Sequence, residues 1–412
     1  MVNNQPIVIT GMGAITPIGL SVEEMWASLI AGKLGIEKIT RFDTSNMPTK
    51  VAAQLKGFKP ENYMDTDTVA RTSWTVQMSI AATKEAIESA GLNMNKEDKN
   101  RVGVVGTTML DQDYYIHGTE VLGEKGRPIE VDPTFIITAG PHSVSREIGM
   151  MLGCKGPCPS VNIVCAGGGD AMGNAMNYMR LGYADMMLAV GSDCGLGPVT
   201  IFSLDRIGAL SKEKDPAKAC RPFDLNRSGF VSGEAAGAVV LETLEHARRR
   251  GATIYAELAG VGWSFDASSM SAPEPETQAH AMKVAMQMAG ISPEDVDYIN
   301  PHGTGTKLND SCETEAIKMA FGERAYKIPI SASKSMFGHS ATADAILESI
   351  AIVLSMRDGI IHPTINYETP DPECDLDYVP NVARHLKVNT GMCNNWGLGG
   401  ENVSVIIRRF KG

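Results

Sequence analysis

Short apolar runs with strand character alternate with helical segments along nearly the whole of this 412-residue chain. Strands that alternate with helices are typical of a mainly parallel or mixed sheet covered by helices. The pattern therefore predicts an α/β fold. The strand candidates are residues 6–10, 102–105, 186–190, 235–242, 254–259, 296–300, 328–330 and 403–407. The helix candidates include residues 69–90, 276–290, 311–321 and 343–356.

The order of these elements is similar on both sides of residue 252. A chain of this length exceeds a single ordinary core, so two units are expected. We predict two similar halves, residues 1–251 and 252–412, each with a mainly parallel or mixed sheet. No residue-level repeat is visible between them. Any duplication is therefore inferred from the order of elements alone.

The composition argues against several classes of protein. Apolar residues make up 43% of the chain and charged residues 21%, which is typical of a globular protein. The net charge of −11 argues against nucleic acid as the partner. No apolar run has the length of a membrane span, and the residues at the start of the chain lead us to expect no signal peptide. Eight cysteines are too few for a disulfide scaffold, so we expect a cytoplasmic, reduced protein.

One cysteine stands where chemistry is expected. Apolar residues 161–164 end at Cys165, small residues 166–169 follow, and a helix-like segment covers 174–181. This order indicates a strand, a sharp turn and a buried helix. The N–H groups and the dipole at a helix N-terminus favour a thiolate there, and the glycines are expected to leave room for an acyl group. A cysteine buried in a packed turn is the alternative explanation.

Three further stretches carry polar groups at strand-to-loop junctions. His302 lies in a glycine-rich turn after one strand candidate, and Lys334 and His339 follow another. Ligands gather at such strand ends in open α/β sheets. The bend at residues 394–402 offers free N–H groups of the kind that stabilise an oxyanion. Each stretch alone has a structural explanation, but together they indicate an active site.

The combination resembles the β-ketoacyl-[acyl-carrier-protein] synthases of the thiolase superfamily, most closely the type II elongating enzymes. The resemblance covers essentially the whole chain, with the motifs in the family's order and spacing. It implies a thiolase-like fold layered α-β-α-β-α. The motifs include Ile9-Thr10-Gly11-Met12-Gly13, Arg221-Pro222-Phe223-Asp224, His302-Gly303-Thr304-Gly305-Thr306, Lys334-Ser335-Met336 and Gly338-His339.

The resemblance implies a nucleophile and an oxyanion hole. Cys165 would accept an acyl group from a carrier-protein thioester. The N–H groups of Cys165 and Leu398 would hold the oxyanion, in a bend formed with Gly397 and Gly399. The chain is therefore expected to be an acyltransferase that performs a decarboxylative Claisen condensation with malonyl-[acyl-carrier protein].

The same resemblance assigns the remaining groups. His302 and His339 would donate hydrogen bonds to the malonyl thioester carbonyl, and both imidazoles are expected to be neutral. Lys334 would order one of these histidines, with Glu313 as its carboxylate partner. The substrate contacts implied by the resemblance are Thr304, Thr306 and Phe202.

The expected partners are acyl carrier protein and the malonyl and acyl thioesters. Carrier proteins are acidic, and Arg71 and Arg206 are the basic residues expected to dock one. No metal and no organic cofactor is expected, because phosphopantetheine arrives on the carrier. A homodimer is expected, with a heterodimer containing a sister ketosynthase-like chain as the alternative.

Several positions depart from the family pattern. Ile163 and Val164 precede the nucleophile where the family usually has Thr-Ala, and Asp170 stands where a histidine is common. Leu398 replaces a phenylalanine at the gate of the pocket. Asp344 introduces a charge where small apolar residues are usual, either to stabilise a helix N-terminus or to line an altered pocket. These changes leave open a specialised polyketide or polyene pathway beside fatty-acid synthesis.

Residues 107–145 are expected to form a pocket wall or an interface.

Two other functions remain as alternatives. The altered surroundings of Cys165 allow a catalytically idle, acyl-binding partner subunit. A thiolase-type acyltransferase would require a second cysteine in the C-terminal bend, and Cys393 lies just outside that bend.

Overall fold

The computed structural model describes residues 5–109, 135–269 and 271–412. Most of the segment 107–145, which was expected to wall a pocket, lies outside these residues. Within the described part of the chain, no helix is both long and apolar enough to cross a membrane.

The described chain alternates strands and helices as predicted. The strands are β1 (Ile7–Ile15), β2 (Ile36–Lys38), β3 (Val51–Ala53), β4 (Val102–Thr107), β5 (Ser160–Val161), β6 (Met186–Cys194), β7 (Glu234–Thr243), β8 (Ala256–Phe265), β9 (Tyr298–Asn300), β10 (Ile360–Ile361), β11 (Arg384–His385), β12 (Thr390–Trp396) and β13 (Glu401–Arg408). The helices are α1 (Val22–Ile30), α2 (Thr66–Arg71), α3 (Trp74–Ser89), α4 (Phe135–Thr138), α5 (Ser143–Leu152), α6 (Gly167–Arg180), α7 (Pro198–Arg206), α8 (Pro216–Ala219), α9 (Leu244–Arg250), α10 (Pro275–Ala289), α11 (Lys307–Phe321), α12 (Lys334–Phe337) and α13 (Asp344–Asp358).

Nine of the described strands hydrogen-bond in the order β5-β4-β6-β7-β1-β8-β13-β12-β9. The first five strands in this order precede residue 252 and the last four follow it. Three residue pairs between β1 and β8, such as Ile7 with Leu258, join the two groups. The sheet is mixed, but antiparallel pairs predominate over the parallel pairs favoured by the sequence pattern. The reason is that β7 runs antiparallel to β6, and β12 and β13 form a hairpin.

Helices α6 and α13 form the central layer of the fold. They pack on each other and on strands from both groups, so one apolar core spans the boundary near residue 252. Alternate residues of the first strand group face α3, and alternate residues of the second face α10. The layers are therefore α3, strands, α6 with α13, strands, and α10, which confirms the α-β-α-β-α arrangement.

Strand β1 continues through the glycine-rich stretch beyond residue 10, where the predicted strand ended. A Cβ at Gly11 would lie 2.2 Å from the carbonyl oxygen of Ala86, and one at Gly13 would lie 1.9 Å from that of Ala82. Only residues without a side chain let the strand approach α3 this closely. These glycines therefore serve helix–strand packing and do not terminate the strand.

The same close packing of strand glycines on a helix occurs after residue 252. A Cβ at Gly260 of β8 would lie 2.5 Å from the carbonyl oxygen of Ala285, and one at Gly262 would lie 2.1 Å from that of Ala281. Both alanines belong to α10, so β8 approaches α10 as β1 approaches α3. The two halves thus share a Gly-x-Gly strand packed on an alanine-bearing helix.

Candidate active site

The nucleophile candidate lies in a strained turn at the start of the central helix α6. Cys165 is buried in a single 3₁₀ turn, Val164–Ala166, that leads directly into α6. Val164 has a φ of 53°, a left-handed conformation that a β-branched residue rarely adopts. Such a conformation costs about 1–3 kcal/mol and is concentrated at functional sites. The turn places the Cys165 thiol at the N-terminus of a buried helix.

Helix α6 begins at Gly167, seven residues before the predicted start at 174. A Cβ at Gly167 would lie 2.4 Å from Thr107 Oγ1, and one at Gly168 would lie 2.6 Å from the carbonyl oxygen of Thr342. The glycines therefore bring α6 against neighbouring protein atoms. The expectation that they leave room for an acyl group is wrong, because protein already fills that space.

His339 links the nucleophile to a carboxylate. Its Nε2 lies 3.2 Å from Cys165 Sγ, and its Nδ1 lies 2.5 Å from Asp344 Oδ2. The other oxygen of Asp344 accepts the Ser340 N–H at 2.9 Å. Phe230 packs edge-on against the imidazole, with ring centroids 5.0 Å apart. The ring is therefore fixed between the sulfur and the carboxylate.

His302 approaches the same sulfur from the turn after β9. Its ring lies 5.3 Å from that of His339, centroid to centroid, at an angle of 84°. One ligand atom from each of Cys165, His302 and His339 lies within 4.8 Å of the others, the only such metal-capable group in the described part of the chain. The arrangement places two imidazoles around one thiol, whether the occupant is a metal ion or a group bonded to sulfur.

Glu313 holds the His302 turn and does not hold Lys334. Its two carboxylate oxygens accept the backbone N–H groups of His302 at 2.9 Å and Gly303 at 2.8 Å. Burial raises the pKa of Glu313 to about 7, against the lowering effect of these two N–H groups. The predicted pairing of Glu313 with Lys334 is therefore wrong, since both oxygens are committed to the turn.

Glu348 is the partner of Lys334. The buried Lys334 Nζ lies 2.6 Å from Glu348 Oε1 and 3.4 Å from Asp344 Oδ2. Asp344 and Glu348 are four residues apart on α13, so both carboxylates lie on one face of the helix. Asn395 donates to the other Glu348 oxygen at 2.9 Å. Burial lowers the pKa of Lys334, but the charges of Glu348 and Asp344 outweigh it and raise that pKa.

The pKa values of the two imidazoles are shifted in opposite directions. Burial, with Lys334 and His339 nearby, lowers the pKa of His302 well below its ordinary value. Burial also lowers the pKa of His339, but the charges of Cys165 and Asp344 raise it to about 10. The difference arises because Cys165 and Asp344 lie at the two ring nitrogens of His339, whereas the charged neighbours of His302 are Lys334 and His339. The site therefore combines one imidazole with a lowered pKa and one with a raised pKa.

The C-terminal bend lies beside the nucleophile turn. A Cβ at Gly397 would lie 2.9 Å from the carbonyl oxygen of Ile163, two residues before Cys165. Gly399 and Gly400 have φ values of 119° and 100°, which favour glycine and close the β12–β13 hairpin. The Leu398 side chain is 41% exposed. The bend thus brings its backbone against the turn that carries Cys165, while Leu398 is partly exposed.

The remaining predicted residues lie farther from this cluster. Thr304 and Thr306 share a hydrogen bond at 3.0 Å in the His302 turn. Phe202 lies on α7 with 54% of its side chain exposed. Arg206 is exposed on the same helix. Arg71 forms an ion pair with Glu147 at 2.7 Å, so its charge is partly neutralised within the chain.

Three groups at the site were missed or left unexplained by the sequence analysis. Glu348 and Asn395 were not singled out, and Asp344 was noted only as a departure. The signal was present in the predicted helix 343–356, where two carboxylates four residues apart interrupt an apolar segment. Charged residues are almost never fully buried unless they are paired. That rule predicts a buried cation facing them.

Cys393 is not placed as the second cysteine of a thiolase. It lies on β12, fully buried, with Sγ 3.3 Å from Asn395 Oδ1 and 3.7 Å from Glu348 Oε2. Burial and the Glu348 charge raise its pKa well above the ordinary value. It therefore lies inside the sheet and does not belong to the bend.

The layered fold and the cysteine flanked by two histidines define a condensing enzyme of the thiolase-like class. Residues 4–247 match the family described as "Beta-ketoacyl synthase, N-terminal domain", and residues 255–368 match "Beta-ketoacyl synthase, C-terminal domain". The chain belongs to the β-ketoacyl synthase family.

Curated relatives extend along the full length. The chain is 41% identical to 3-oxoacyl-[acyl-carrier-protein] synthase 2 of Coxiella burnetii, over 98% of both chains. It is 40% identical to the protein of the same name from Staphylococcus aureus, over 100% of both.

Solved structures of ketosynthases are similar in fold. The ishigamide ketosynthase/chain length factor is 33% identical with a TM-score of 0.92, covering 98% of this chain and 99% of that one. A second solved structure contains a type II polyketide acyl-carrier protein in complex with its ketosynthase, bound to the hexaketide. The matched chain is 33% identical with a TM-score of 0.88, over 99% of this chain and 100% of that one.

Proposed function

We propose that this chain condenses a Cys165-bound acyl group with malonyl-[acyl-carrier protein], with loss of CO2, to give a β-ketoacyl-[acyl-carrier protein] in fatty-acid or polyketide biosynthesis. The observation that carries the proposal is the placement of one thiol and two imidazoles within 4.8 Å of one another in a buried site. The curated relatives named 3-oxoacyl-[acyl-carrier-protein] synthase 2 support the same reaction.

In the first half-reaction, the Cys165 thiolate attacks the carbonyl of an acyl thioester. A carbon–sulfur bond forms to Cys165, and the carrier thiol leaves. The N–H groups of Cys165 and Leu398 stabilise the negative oxygen, because the bend at Gly397 lies against the nucleophile turn. Such preorganised donors are worth about 3–4 kcal/mol each in other acyl transfers.

In the second half-reaction, the malonyl thioester loses CO2 and leaves an enolate. His302 and His339 donate hydrogen bonds to the enolate oxygen, since both rings flank the site where the thioester must lie. The enolate carbon attacks the acyl carbonyl, and the bond to Cys165 breaks. Lys334 and Glu313 do not touch the substrate in this scheme. Lys334 balances the buried carboxylates of the site, and Glu313 holds the His302 turn in place.

Carrier protein is the proposed macromolecular partner, and phosphopantetheine enters with it. Thr304 and Thr306 are the proposed contacts for that arm. Arg206, exposed beside Ile207 on α7, offers a basic and apolar surface for an acidic carrier. Arg71 contributes less, since Glu147 already pairs with it. We further propose a dimer in which each chain supplies both halves, 1–251 and 252–412.

Trapping of the acyl-enzyme tests the proposal. Full-length protein incubated with an acyl-carrier thioester should gain the mass of the acyl group, and Cys165→Ala should abolish the gain. Cys158→Ala removes an exposed thiol outside the site and is the matched control, which should retain the adduct. With malonyl-carrier present, the wild type should release CO2 and form the longer product.

Other outcomes identify the alternatives. Absence of an adduct with every acyl donor would indicate an idle, acyl-binding partner subunit. Product formation from two unactivated acyl thioesters, without CO2 release, would indicate a thiolase. The buried position of Cys393 favours the decarboxylating reaction over the thiolase reaction.

A further inference from the structure

A carboxylate, an imidazole and the nucleophilic sulfur form a continuous series at this site. Asp344 Oδ2 lies 2.5 Å from His339 Nδ1, and His339 Nε2 lies 3.2 Å from Cys165 Sγ. An ionised carboxylate only accepts hydrogen bonds, so Nδ1 must carry a proton. Asp344 is held ionised by the Ser340 N–H and by Lys334, 3.4 Å away. The tautomer of His339 is therefore fixed by Asp344.

This tautomer has a consequence for the other ring nitrogen. With a proton required on Nδ1, Nε2 can donate a hydrogen bond only if the ring carries two protons. The proposed condensation needs a donor at that position, both toward the sulfur anion and toward the enolate oxygen. We propose that Asp344 is a positioning residue that holds His339 as an imidazolium, so that Cys165 rests as a thiolate paired with it.

The charges around His339 favour this state. Asp344 on α13 supplies negative charge at Nδ1, and the Cys165 sulfur at the start of α6 lies at Nε2. Lys334 from α12 opposes them, but its ammonium is bonded to Glu348, which reduces that opposition. The His302 ring faces His339, and burial, with Lys334 and His339 nearby, lowers the pKa of His302. Burial lowers the pKa of His339, and Cys165 and Asp344 raise it to about 10.

One further acid faces the same turn. Asp193 of β6 accepts the N–H and the hydroxyl of Thr342, between His339 and Asp344 in the chain. Burial raises the pKa of Asp193 to about 6, against the lowering effect of these bonds. Its other oxygen accepts the N–H of Met109 and the hydroxyl of Thr108. These bonds tie the turn to β4 and its extension and do not involve the imidazole, so Asp193 leaves His339 to Asp344.

The proton balance of the reaction is consistent with this assignment, which rests on the proposed function. The resting thiolate attacks without first losing a proton, and the departing carrier thiolate takes a proton from solvent. His339 keeps both of its protons. When the enolate carbon has attacked the acyl group, the carbon–sulfur bond breaks and its electron pair returns to Cys165. The thiolate is thereby regenerated opposite the imidazolium.

Alkylation of Cys165 by iodoacetamide, followed by peptide mass spectrometry across a range of pH, tests the resting ion pair without any substrate. The wild-type rate should reach half its maximum at least about two pH units below the value near 8.5 expected for a free thiol. Asp344→Asn, which keeps the shape and removes the charge, should move this midpoint upward by about 1–3 units. Asp344→Glu, which keeps the negative charge, should have a midpoint between those of the wild type and Asp344→Asn.

Asp170→Asn is the matched control, because it neutralises a half-buried aspartate on α6 that bonds Trp263 and Asn174 and not His339. Its midpoint should not rise. A wild-type midpoint near that of a free thiol overturns the proposal, even if Asp344→Asn fails to fold. An unchanged midpoint in a folded Asp344→Asn protein also overturns it. A low wild-type midpoint in a protein that does not condense would overturn the proposed function and leave the ion pair standing.

Discussion

The ammonium group of Lys334 lies 2.6 Å from the carboxylate of Glu348, inside the protein and out of contact with water. Asp344 lies 3.4 Å from the same ammonium on its other side. One buried cation thus balances two buried carboxylates, and His339 supplies the second positive charge through its bond to Asp344. The four groups form one charge network around the nucleophile.

Removal of Lys334 should therefore destabilise the fold strongly. Lys334→Ala leaves Glu348 without its cation, and breaking a buried pair by removing one partner costs about 3–5 kcal/mol. The double variant Lys334→Ala with Glu348→Ala should recover part of that loss, because no unpaired charge remains at that position. Urea unfolding of the wild type, the two single variants and the double variant measures the coupling. Additive losses would contradict a direct pairing.

Loss of His302 should separate the two half-reactions. His302→Ala should still accept an acyl group on Cys165, since the hydrogen-bond contact with the sulfur comes from His339. Decarboxylation should fall by roughly 10²–10³-fold, because one donor to the enolate oxygen is gone. Mass spectrometry follows the acyl-enzyme and CO2 release follows the second step. His280→Ala, on the exposed face of α10, is the control. Failed acyl transfer with intact decarboxylation would contradict the assigned role.

The stability of the protein should depend on pH through Glu313. Its pKa of about 7 lies above the ordinary 4.5, so the folded state binds this proton more tightly than the unfolded state. The stabilisation is complete below about pH 4.5 and is lost as the pH rises through about 7. Relative to Glu313→Gln, the unfolding free energy of the wild type should fall by about 3 kcal/mol between pH 4.5 and 8. Urea unfolding at several pH values measures it, and parallel curves would contradict the assignment.

An alanine in the first turn of α6 should be poorly tolerated. In Gly168→Ala the new Cβ would lie 2.6 Å from the carbonyl oxygen of Thr342, which is backbone and cannot move alone. Overpacking of this kind costs about 1–3 kcal/mol. Gly149→Ala in α5 is the control, since its Cβ would meet only the Cys158 side chain, at 3.2 Å or more. Thermal unfolding should show a loss for the first variant and little change for the second.

A charge reversal on α7 should weaken use of the carrier substrate. Arg206→Glu should lower kcat/KM for an acyl-carrier thioester by about tenfold at low salt, and the deficit should shrink as ionic strength rises. Arg248→Glu makes the same charge change at an exposed position on α9 and should have little effect. Equal effects of the two variants would indicate a response to net charge and not a docking surface.

The sequence contained enough to predict the layered fold and most of the site. Cys165, His302, Lys334 and His339 all stand at junctions that could be located from apolar runs and glycines. The start of α6 and the end of β1 could not be located in this way. Glycines usually interrupt regular structure, whereas here the close approach of another backbone requires them inside it, and only the tertiary packing reveals that.

The partner of Lys334 could not be predicted from residues near it in the sequence either. Glu313 follows His302 at a plausible distance along the chain, but its oxygens are used by the backbone of the turn. Glu348 lies 14 residues after Lys334, and the two meet only because α13 folds back into the centre of the molecule. The paired glycines of β1 and β8 were likewise visible in the sequence. Their equivalence becomes evident only when both strands are seen against their helices.

The burial of α13 has a consequence for motion. Its first 13 residues, Asp344 to Met356, are all buried, and both carboxylates of the charge network lie on it. Amide hydrogens in such an element exchange with solvent only when the whole molecule opens, whereas those near exposed loops exchange through local fluctuations. Deuterium should therefore enter α13 last. The electrostatic setting of the nucleophile is thus as durable as the folded state itself.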